Sequence, residues 1–276
     1  MQQVLKTMLE NVRAKTPLVH NITNYVTVND VANVLLAAGG SPIMSDDADD
    51  VEDITSICGG LNINIGTLNK NTIPSMFLAG KKANALGHIV LLDPVGAGAS
   101  RLRTDTANRL MQEVRFDAVR GNISEIKTLC TGSGSTKGVD ADAVDAVTEA
   151  NLDDGVQLVK AFAQKTGCIV AVTGAIDLVS DGERCWCIRN GRAEMSRITG
   201  TGCQLSALMT AFLVANPDHK LDAAAAAVCM MGLAGEIGWA NMQPGDGNST
   251  YRNRIIDAIF NMTGDALEEG AKYELR

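Results

Sequence analysis

The sequence contains few aromatic residues and no run of basic residues. Phe, Trp and Tyr make up 4% of the 276 residues, so a folded core must be built mainly from Ala, Val, Ile, Leu and Met. The formal net charge is -8, whereas nucleic-acid binding needs basic patches that contact phosphates. Nucleic acid is therefore not an expected partner. The overall composition, 46% hydrophobic and 20% charged, suits a globular protein with an ample core.

We also expect no signal peptide, membrane-spanning segment or disulfide framework in this sequence. Residues 1–17 indicate an amphipathic helix and not a signal peptide, and no apolar run is expected to reach transmembrane length. The seven cysteines are odd in number and irregularly spaced, which argues against a disulfide framework. Cys185 and Cys187 share one face of a strand, but no histidine cluster accompanies them, so no zinc site is expected. We expect a reduced, cytoplasmic protein that does not contact a membrane.

Strand patterns alternate with helical patterns along almost the whole chain. Apolar runs such as residues 88–92 and 168–172 are typical of strands buried in a parallel sheet. The stretch 131–155, rich in Gly, Ser and Asp, indicates an exposed loop whose role stays open. The pattern predicts an α/β fold, with a single domain over residues 1–276, a mostly parallel central sheet and helices on both faces.

The boundaries of these elements follow from hydrophobic periodicity and turn residues. The predicted strands are 17–22, 41–44, 61–65, 88–92, 116–119, 168–172, 178–180 and 184–188, the last two forming a hairpin. The predicted helices are 28–38, 69–85, 102–114, 124–130, 155–166, 202–215, 221–240 and 250–262.

Charged side chains follow two of the predicted strands. Asp93 opens a glycine-rich turn and would reach a metal or a phosphate-linked water, although an ordinary strand-to-loop turn explains it equally well. Arg120 is suited to holding a phosphate. Asn122 and Glu125 have the spacing of a helix capping box. In the functional alternative, Asp93 and Glu125 form a magnesium site, because Mg²⁺ takes one or two carboxylates beside its waters.

Three further side chains each have a functional and an ordinary explanation. Thr173 directly follows the predicted strand 168–172. It would either contact a nucleotide phosphate or serve as an ordinary turn residue. His20 would act as a catalytic partner, but a hydrogen-bonded structural histidine is the preferred interpretation. Met44 would line an apolar pocket for a small heterocycle or belong to the core.

A glycine turn enters a helical pattern at residues 200–203, Gly-Thr-Gly-Cys. The backbone N–H groups and the dipole at a helix N-terminus favour an anion, so this turn is expected to form an anion hole. Cys203 is then a candidate nucleophile, a candidate base or a small buried residue. A helix N-terminus lowers the pKa of a thiol, so a thiolate fraction near neutral pH is expected.

The ordered set of motifs resembles the hydroxyethylthiazole kinase family of the ribokinase-like superfamily. The matching stretches are HNITNYVTVNDVANVLLAAGGSPIMS from residue 20, DPVGAGAS from 93, RGNISEI from 120, VTG from 172 and ITGTGC from 198. The superfamily carries a catalytic aspartate at the end of a GxGD turn. Cys203 stands at that position here, and the resemblance covers nearly the whole chain.

The resemblance implies phosphorylation of the hydroxyl of 4-methyl-5-(2-hydroxyethyl)thiazole in thiamine salvage, with ATP as co-substrate and Mg²⁺ as cofactor. It implies a homotrimer with active sites at subunit boundaries. By matching position, the implied roles are thiazole contact for Met44 and Gly200, ATP contact for Arg120 and Thr173, the magnesium environment for Asp93 and Glu125, and the catalytic turn for Gly200, Thr201, Gly202 and Cys203. Cys203 would serve as a hydrogen-bond partner or weak base in an in-line transfer.

Three alternatives stay open at this point. Cys203 would be a covalent nucleophile with His20 as its base in a hydrolase or transferase. The chain would be a binding protein that keeps the kinase scaffold without phosphate transfer. It would also fit another small-alcohol kinase of the same superfamily.

Overall fold

The computed structural model describes residues 3–132 and 146–276. In this part of the chain, nine strands form one sheet in the order β2-β1-β3-β4-β5-β6-β7-β8-β9. The strands from β2 to β6 in this order are parallel, and the last three pairings are antiparallel, which confirms a mostly parallel sheet. The strands are β1 (Leu18–Ile22), β2 (Ser41–Met44), β3 (Gly60–Asn64), β4 (Ile89–Asp93), β5 (Ala118–Asn122), β6 (Ile169–Thr173), β7 (Asp177–Ser180), β8 (Cys185–Ile188) and β9 (Tyr273–Leu275).

Helices cover both faces of this sheet. They are α1 (Val4–Lys15), α2 (Val28–Ala38), α3 (Val51–Ile57), α4 (Thr72–Leu86), α5 (Arg101–Glu113), α6 (Ile123–Thr131), α7 (Leu152–Thr166), α8 (Thr201–Ala215), α9 (Lys220–Ala240), α10 (Asn248–Asn261) and α11 (Gly264–Gly270), with a 3₁₀ turn at Ala193–Arg197. One core layer contains α1, α8, α9 and α10, and the other contains α4 to α7. The predicted α/β architecture is therefore confirmed.

Helix α9 corrects the expectation that no apolar run reaches transmembrane length. It has 21 residues with a mean hydropathy of 1.4 in its most apolar window. By length and composition alone, it is long and apolar enough to span a membrane. In the fold, 78% of that window is buried. The helix packs against α8, α10 and the strands β6 to β8, so its apolar surface belongs to the core.

Local chemistry explains where several elements begin and end. Gly39 ends α2 with a φ of 97°, a backbone conformation that glycine adopts without strain. The Asn122 side chain accepts from the Glu125 N–H, and the Glu125 side chain accepts from the Asn122 N–H, so the predicted capping box begins α6. Gly182, with a φ of 99°, lies in the predicted hairpin turn between β7 and β8.

The structure also differs from the sequence-based boundaries. Strand β5 continues to Asn122, beyond its predicted end at residue 119, and α7 begins at Leu152 within the stretch expected to be a loop. Residues 133–145 of that stretch lie outside the described residues. Helices α3 and α11 and strand β9 were not predicted, because two seven-residue helices and a three-residue edge strand leave little periodicity.

Candidate active site

The parallel strands bring polar side chains to one edge of the sheet. Asn64 and Asp93 end β3 and β4 and are register partners. Asn122 and Thr173 end β5 and β6 and are paired in the same way. The carboxyl ends of parallel strands lie at one edge, where open α/β sheets bind their ligands. Predicted site residues from separate motifs therefore lie along one edge.

Asp93 is fully buried at the centre of this edge. Its Oδ2 accepts from Asn64 Nδ2 at 2.8 Å and from Ser206 Oγ at 2.7 Å, and Arg120 Nη1 lies 3.6 Å away. Burial raises the pKa of the carboxyl, while the positive charge of Arg120 opposes that rise. Asp93 Oδ1 is buried and has no hydrogen-bond partner among the described residues. This oxygen is free to bind a cation or a polarised water.

Glu125 uses both carboxylate oxygens in backbone contacts. Oε2 accepts from Asn122 N at 2.8 Å and Oε1 accepts from Gly96 N at 2.7 Å. Burial, reinforced by the neighbouring charge of Asp93, raises the pKa of Glu125 to about 7. Glu125 therefore joins the Asp93 turn to the start of α6. The capping explanation is confirmed, and the role of Glu125 near a metal stays a prediction.

Arg120 lies between the sheet edge and α8. Its Nη2 donates to Thr173 Oγ1 at 2.5 Å. A Cβ atom on Gly202 would lie 2.5 Å from Arg120 Nη1, so the guanidinium packs directly against the first turn of α8. Arg120, Thr173 and Gly202 therefore meet in space, as a shared phosphate site requires.

The turn before α8 places a glycine with positive φ at the helix start. Gly200 has a φ of 87° and precedes the helix, and a Cβ atom there would lie 2.2 Å from Thr27 Cγ2. No side chain caps the helix start at Thr201. The first N–H groups of an α-helix have no partner within the helix, so those of α8 can bind an anion.

Cys203 lies in the first turn of α8 and is 9% exposed. Asn24 Nδ2 donates to its Sγ at 3.1 Å. Burial raises the pKa of the thiol, and the negative charge of Asp93 adds to that rise. The expectation of a lowered thiol pKa was wrong, because burial and Asp93 outweigh the helix N-terminus and Arg120. Cys203 is a neutral thiol near pH 7, and the weak-base alternative loses its support.

His20 does not lie with Cys203. Its Nδ1 is 3.0 Å from Thr55 Oγ1 on α3, and its Nε2 is 2.9 Å from the Ser45 carbonyl oxygen. The preceding residue, Val19, packs in one cluster with Cys203 on the opposite face of the sheet. The hypothesis of a Cys203 nucleophile with His20 as its base is therefore wrong. The preferred structural interpretation of His20 is confirmed.

A small cavity of about 150 Å³ opens at the carboxyl ends of β1, β2 and β3. Met44 lines it and also packs against the cluster that contains Cys203. Asn64 lines it too and is joined to Cys203 through Asn24. A cavity of this size holds one small aromatic ring. Other lining residues are Asn21, Thr23, Tyr25, Val28, Thr72 and Met76.

A second cavity, of about 620 Å³, begins on the other side of the α8 turn. Arg120, Thr173, Thr201 and Gly202 lie at one end of it, and α9 forms a wall with Val228, Met231 and Gly232. The volume is in the range of cofactor-sized sites. Thr201 and Gly202 of the turn at residues 200–203 therefore line the larger cavity, whereas the smaller cavity is linked to Cys203 only through Asn64 and Asn24.

Asp177 is a residue of the larger cavity that the sequence motifs did not indicate. Its Oδ1 accepts from Gly174 N at 2.8 Å. Burial raises the pKa of this carboxyl to about 7, against the opposing influence of Arg120. This carboxyl lies in the same cavity as the predicted phosphate contacts.

Sequence reasoning also missed Asn24, Asn64 and Ser206, which connect Cys203 to Asp93. A signal existed in the two Asn residues that interrupt the apolar run of β3, because buried polar side chains in a strand need partners. Ser206, one turn after Gly202, gave no such signal. Throughout residues 3–132 and 146–276, no group of three or more His, Cys, Asp or Glu side chains could hold a metal ion by itself.

Comparisons with known proteins show the family to which the chain belongs. A model of the hydroxyethylthiazole kinase family matches residues 9–265. A hydroxyethylthiazole kinase of Clostridium acetobutylicum is 58% identical over 98% of this chain and 99% of its own. The structure of a hydroxyethylthiazole kinase protein from Pyrococcus horikoshii superposes with a TM-score of 0.88 at 32% identity and covers 100% of both chains. A Staphylococcus aureus pyridoxal kinase with AMP-PCP and pyridoxal, 13% identical over 94% of this chain and 98% of its own with a TM-score of 0.62, shares the fold.

Proposed function

Because the chain belongs to the hydroxyethylthiazole kinase family, we propose that it transfers the γ-phosphoryl group of ATP to the hydroxyl of 4-methyl-5-(2-hydroxyethyl)thiazole. It is a phosphotransferase, as its relatives are. The observation that carries the proposal is a pair of cavities, about 150 and 620 Å³. Thr201 and Gly202 line the larger one, and Asn64 of the smaller one is joined to Cys203 through Asn24. The smaller suits a methylated thiazole ring and the larger suits a nucleotide.

Each side chain then has a defined task in the transfer. Arg120 and Thr173 hold ATP phosphate oxygens, and the N–H groups of the turn at 200–203 bind the transferring group. Met44 and Gly200 hold the thiazole ring beside Cys203. In phosphoryl transfer through a loose transition state, catalysis consists mainly of such positioning and charge stabilisation.

The residues at the sheet edge fit a magnesium ion. Asp93 Oδ1 is a buried carboxylate oxygen with no partner among the described residues, and Glu125 lies near it. Mg²⁺ is typically held by one or two carboxylates, substrate phosphates and water. When bound, the ion would neutralise charge on the phosphates. We propose Asp93 as the residue that holds it directly and Glu125 as the residue that orients its surroundings.

An ADP-release assay with a panel of alcohols tests this function. We expect rapid ADP release with hydroxyethylthiazole and at least tenfold slower release with pyridoxal-type alcohols and sugars, because about 150 Å³ admits one small ring. Preference for a sugar or for another ring system would show a different alcohol kinase. Binding of ATP and thiazole with no ADP release under any condition would show a binding protein.

Assembly and location are part of the proposal. We propose that residues 1–276 form one domain and that the protein acts as a homotrimer in the cytoplasm, without nucleic-acid or membrane partners. Tyr25 and Val26, which are 77% and 57% exposed, support a subunit boundary beside the smaller cavity. Exposed apolar side chains at the rim of a site are typical of surfaces that are covered by a partner.

A further inference from the structure

Asn24 is held in one orientation by contacts on both sides of its amide. Its Oδ1 accepts from Thr27 N at 3.1 Å and from Thr27 Oγ1 at 3.0 Å. A backbone N–H can only donate, so the oxygen of the Asn24 amide must face Thr27. The Nδ2 group therefore faces Cys203 Sγ and Asn64 Oδ1, each at 3.1 Å.

This orientation makes the Cys203 sulfur an acceptor. A neutral thiol has one proton to donate. Because Asn24 supplies the proton of the hydrogen bond between Asn24 and Cys203, the thiol proton must point elsewhere. Asn64 Oδ1 is occupied by two donors, Asn24 Nδ2 and Gly66 N. Asp93 Oδ1 has no hydrogen-bond partner, so it does not take the thiol proton either. Asn64 is also within hydrogen-bond reach of Cys203, but its Oδ1 already accepts from two N–H groups, so the thiol proton finds no free acceptor among these contacts.

We propose that Asn24 is a positioning residue that fixes Cys203 Sγ as an acceptor and thereby directs the thiol proton to the hydroxyl oxygen of the bound alcohol. The inference rests on the proposed function, because it needs an alcohol in the cavity that Met44 lines. Cys203 then holds the attacking oxygen in place without taking a proton from it. This assigns Cys203 the hydrogen-bond role and leaves proton removal to another group.

The atoms of the transfer balance without a protein base. A bond forms between the hydroxyl oxygen and the γ-phosphorus, and the bond from the γ-phosphorus to the β–γ bridging oxygen breaks. ADP leaves with that electron pair. The hydroxyl proton passes to an oxygen of the transferred phosphoryl group, which suits a loose transition state in which proton loss comes late.

A double-mutant cycle between Asn24 and Cys203 tests the proposal. Asn24→Ala is expected to lower kcat about threefold to tenfold, the range of one hydrogen bond, with KM for ATP unchanged. In the Cys203→Ala background the same change is expected to have less than about a twofold effect on kcat. An equal loss in both backgrounds would overturn the proposal, because Asn24 would then act without Cys203.

Asn62→Ala is the matched control. Asn62 is also buried on β3, its Nδ2 donates to Asn21 Oδ1, and no hydrogen bond within the described part of the chain joins it to Cys203. Its effect on kcat should be the same in both Cys203 backgrounds, and thermal melts of all variants report folding. Wild-type enzyme that releases no ADP with hydroxyethylthiazole would refute the proposed function, whereas an active wild type with an uncoupled cycle would refute only this inference.

Infrared spectroscopy supplies a readout that does not need turnover. The S–H stretching band of Cys203 is isolated as the difference between wild type and Cys203→Ala. With hydroxyethylthiazole bound and no ATP, the band should move to lower frequency, and Asn24→Ala should abolish that shift. Disappearance of the band, which indicates a thiolate, or an undiminished shift in Asn24→Ala would contradict the assignment.

Discussion

At the scale of single residues, Cys203 differs most from what its sequence position suggests. It is placed at a helix N-terminus, yet burial and the charge of Asp93 keep its thiol protonated. We predict that Cys203→Asp keeps or raises kcat, because a carboxylate can accept the hydroxyl proton that a neutral thiol does not. Cys203→Ala should keep part of the activity. Steady-state kinetics with ATP and hydroxyethylthiazole measure both.

Three results with the Cys203 variants would contradict this prediction. An inactive but folded Cys203→Asp enzyme would show that a second carboxylate beside Asp93 is not tolerated and that the position serves no proton or hydrogen-bond role. A Cys203→Ala enzyme without activity would show that the thiol is essential. A substrate covalently bound to sulfur, detected by mass spectrometry, would restore the nucleophile.

Asp177 gives a prediction about pH. Its pKa rises from 3.8 in the unfolded chain to about 7 in the fold, mainly through burial. Between pH 3.8 and about 7, the folded state therefore binds more protons than the unfolded state. The free energy of unfolding falls as the pH rises through this range. Asp177→Asn keeps an acceptor for Gly174 N and removes the charge.

Thermal melts of Asp177→Asn against wild type measure this effect. At about pH 8 the Tm of the variant should be about 2–4 °C higher, because it has no carboxyl to ionise at this site. At about pH 4 the Tm should not change, because residue 177 is uncharged in the fold of both proteins. Equal shifts at both pH values would mean that a change in packing, and not ionisation, is responsible.

At the scale of elements, the start of α8 depends on glycine at residue 202. A Cβ atom there would lie 2.5 Å from Arg120 Nη1, so Gly202→Ala must displace the guanidinium. We predict that KM for ATP rises about tenfold, the cost of one charge-assisted hydrogen bond, while the Tm does not fall, because Ala favours helix over Gly. Kinetics with ATP as the varied substrate measure this.

Gly247→Ala is the control for that substitution. Nothing lies within 4 Å of a Cβ atom at Gly247, so KM should be unchanged. If Gly202→Ala binds ATP as wild type does, Arg120 is not the phosphate contact. If its Tm falls sharply instead, position 202 of α8 cannot accept a side chain.

Elements with strong periodicity were predicted well. Helix Val28–Ala38 and strand Ser41–Met44 match their predicted bounds, because the apolar spacing and the flanking Gly39 define them locally. The hairpin turn at residues 181–182 was predicted from its dipeptide. Helix α3 and strand β9 were missed because elements of seven and three residues are too short to show a periodic pattern.

The site was predictable only where the signal is local. The strand-end position of Asp93 and the turn at residue 200 follow from neighbouring sequence. The contact of Asn24 with Cys203 joins residues 179 positions apart, so no local pattern could indicate it. The raised pKa of the Cys203 thiol was missed for the same reason, because the burial that causes it comes from other elements.

At the scale of the whole molecule, the proposed homotrimer gives a prediction. Analytical ultracentrifugation should show a mass three times that of the 29.1 kDa chain. Val26→Glu should shift this toward the monomer and raise KM for the thiazole, because Val26 neighbours Tyr25 at the rim of the smaller cavity. Phe260→Glu is the control, since Phe260 is 67% exposed near Arg13, away from that rim.

A monomeric wild type with full activity would contradict the shared boundary. A trimer that persists in Val26→Glu with an unchanged KM would place the interface elsewhere on the surface.

The contacts of Asn24 and Thr27 with the residues at the start of α8 have a consequence for biosynthesis. One side of these contacts leaves the ribosome early, and the other side follows only after some 179 further residues. Nascent chains that stop before α8 can assemble much of the parallel sheet but hold no phosphate site. Recovery of catalysis during refolding should therefore coincide with the slowest step, and secondary structure should return before it.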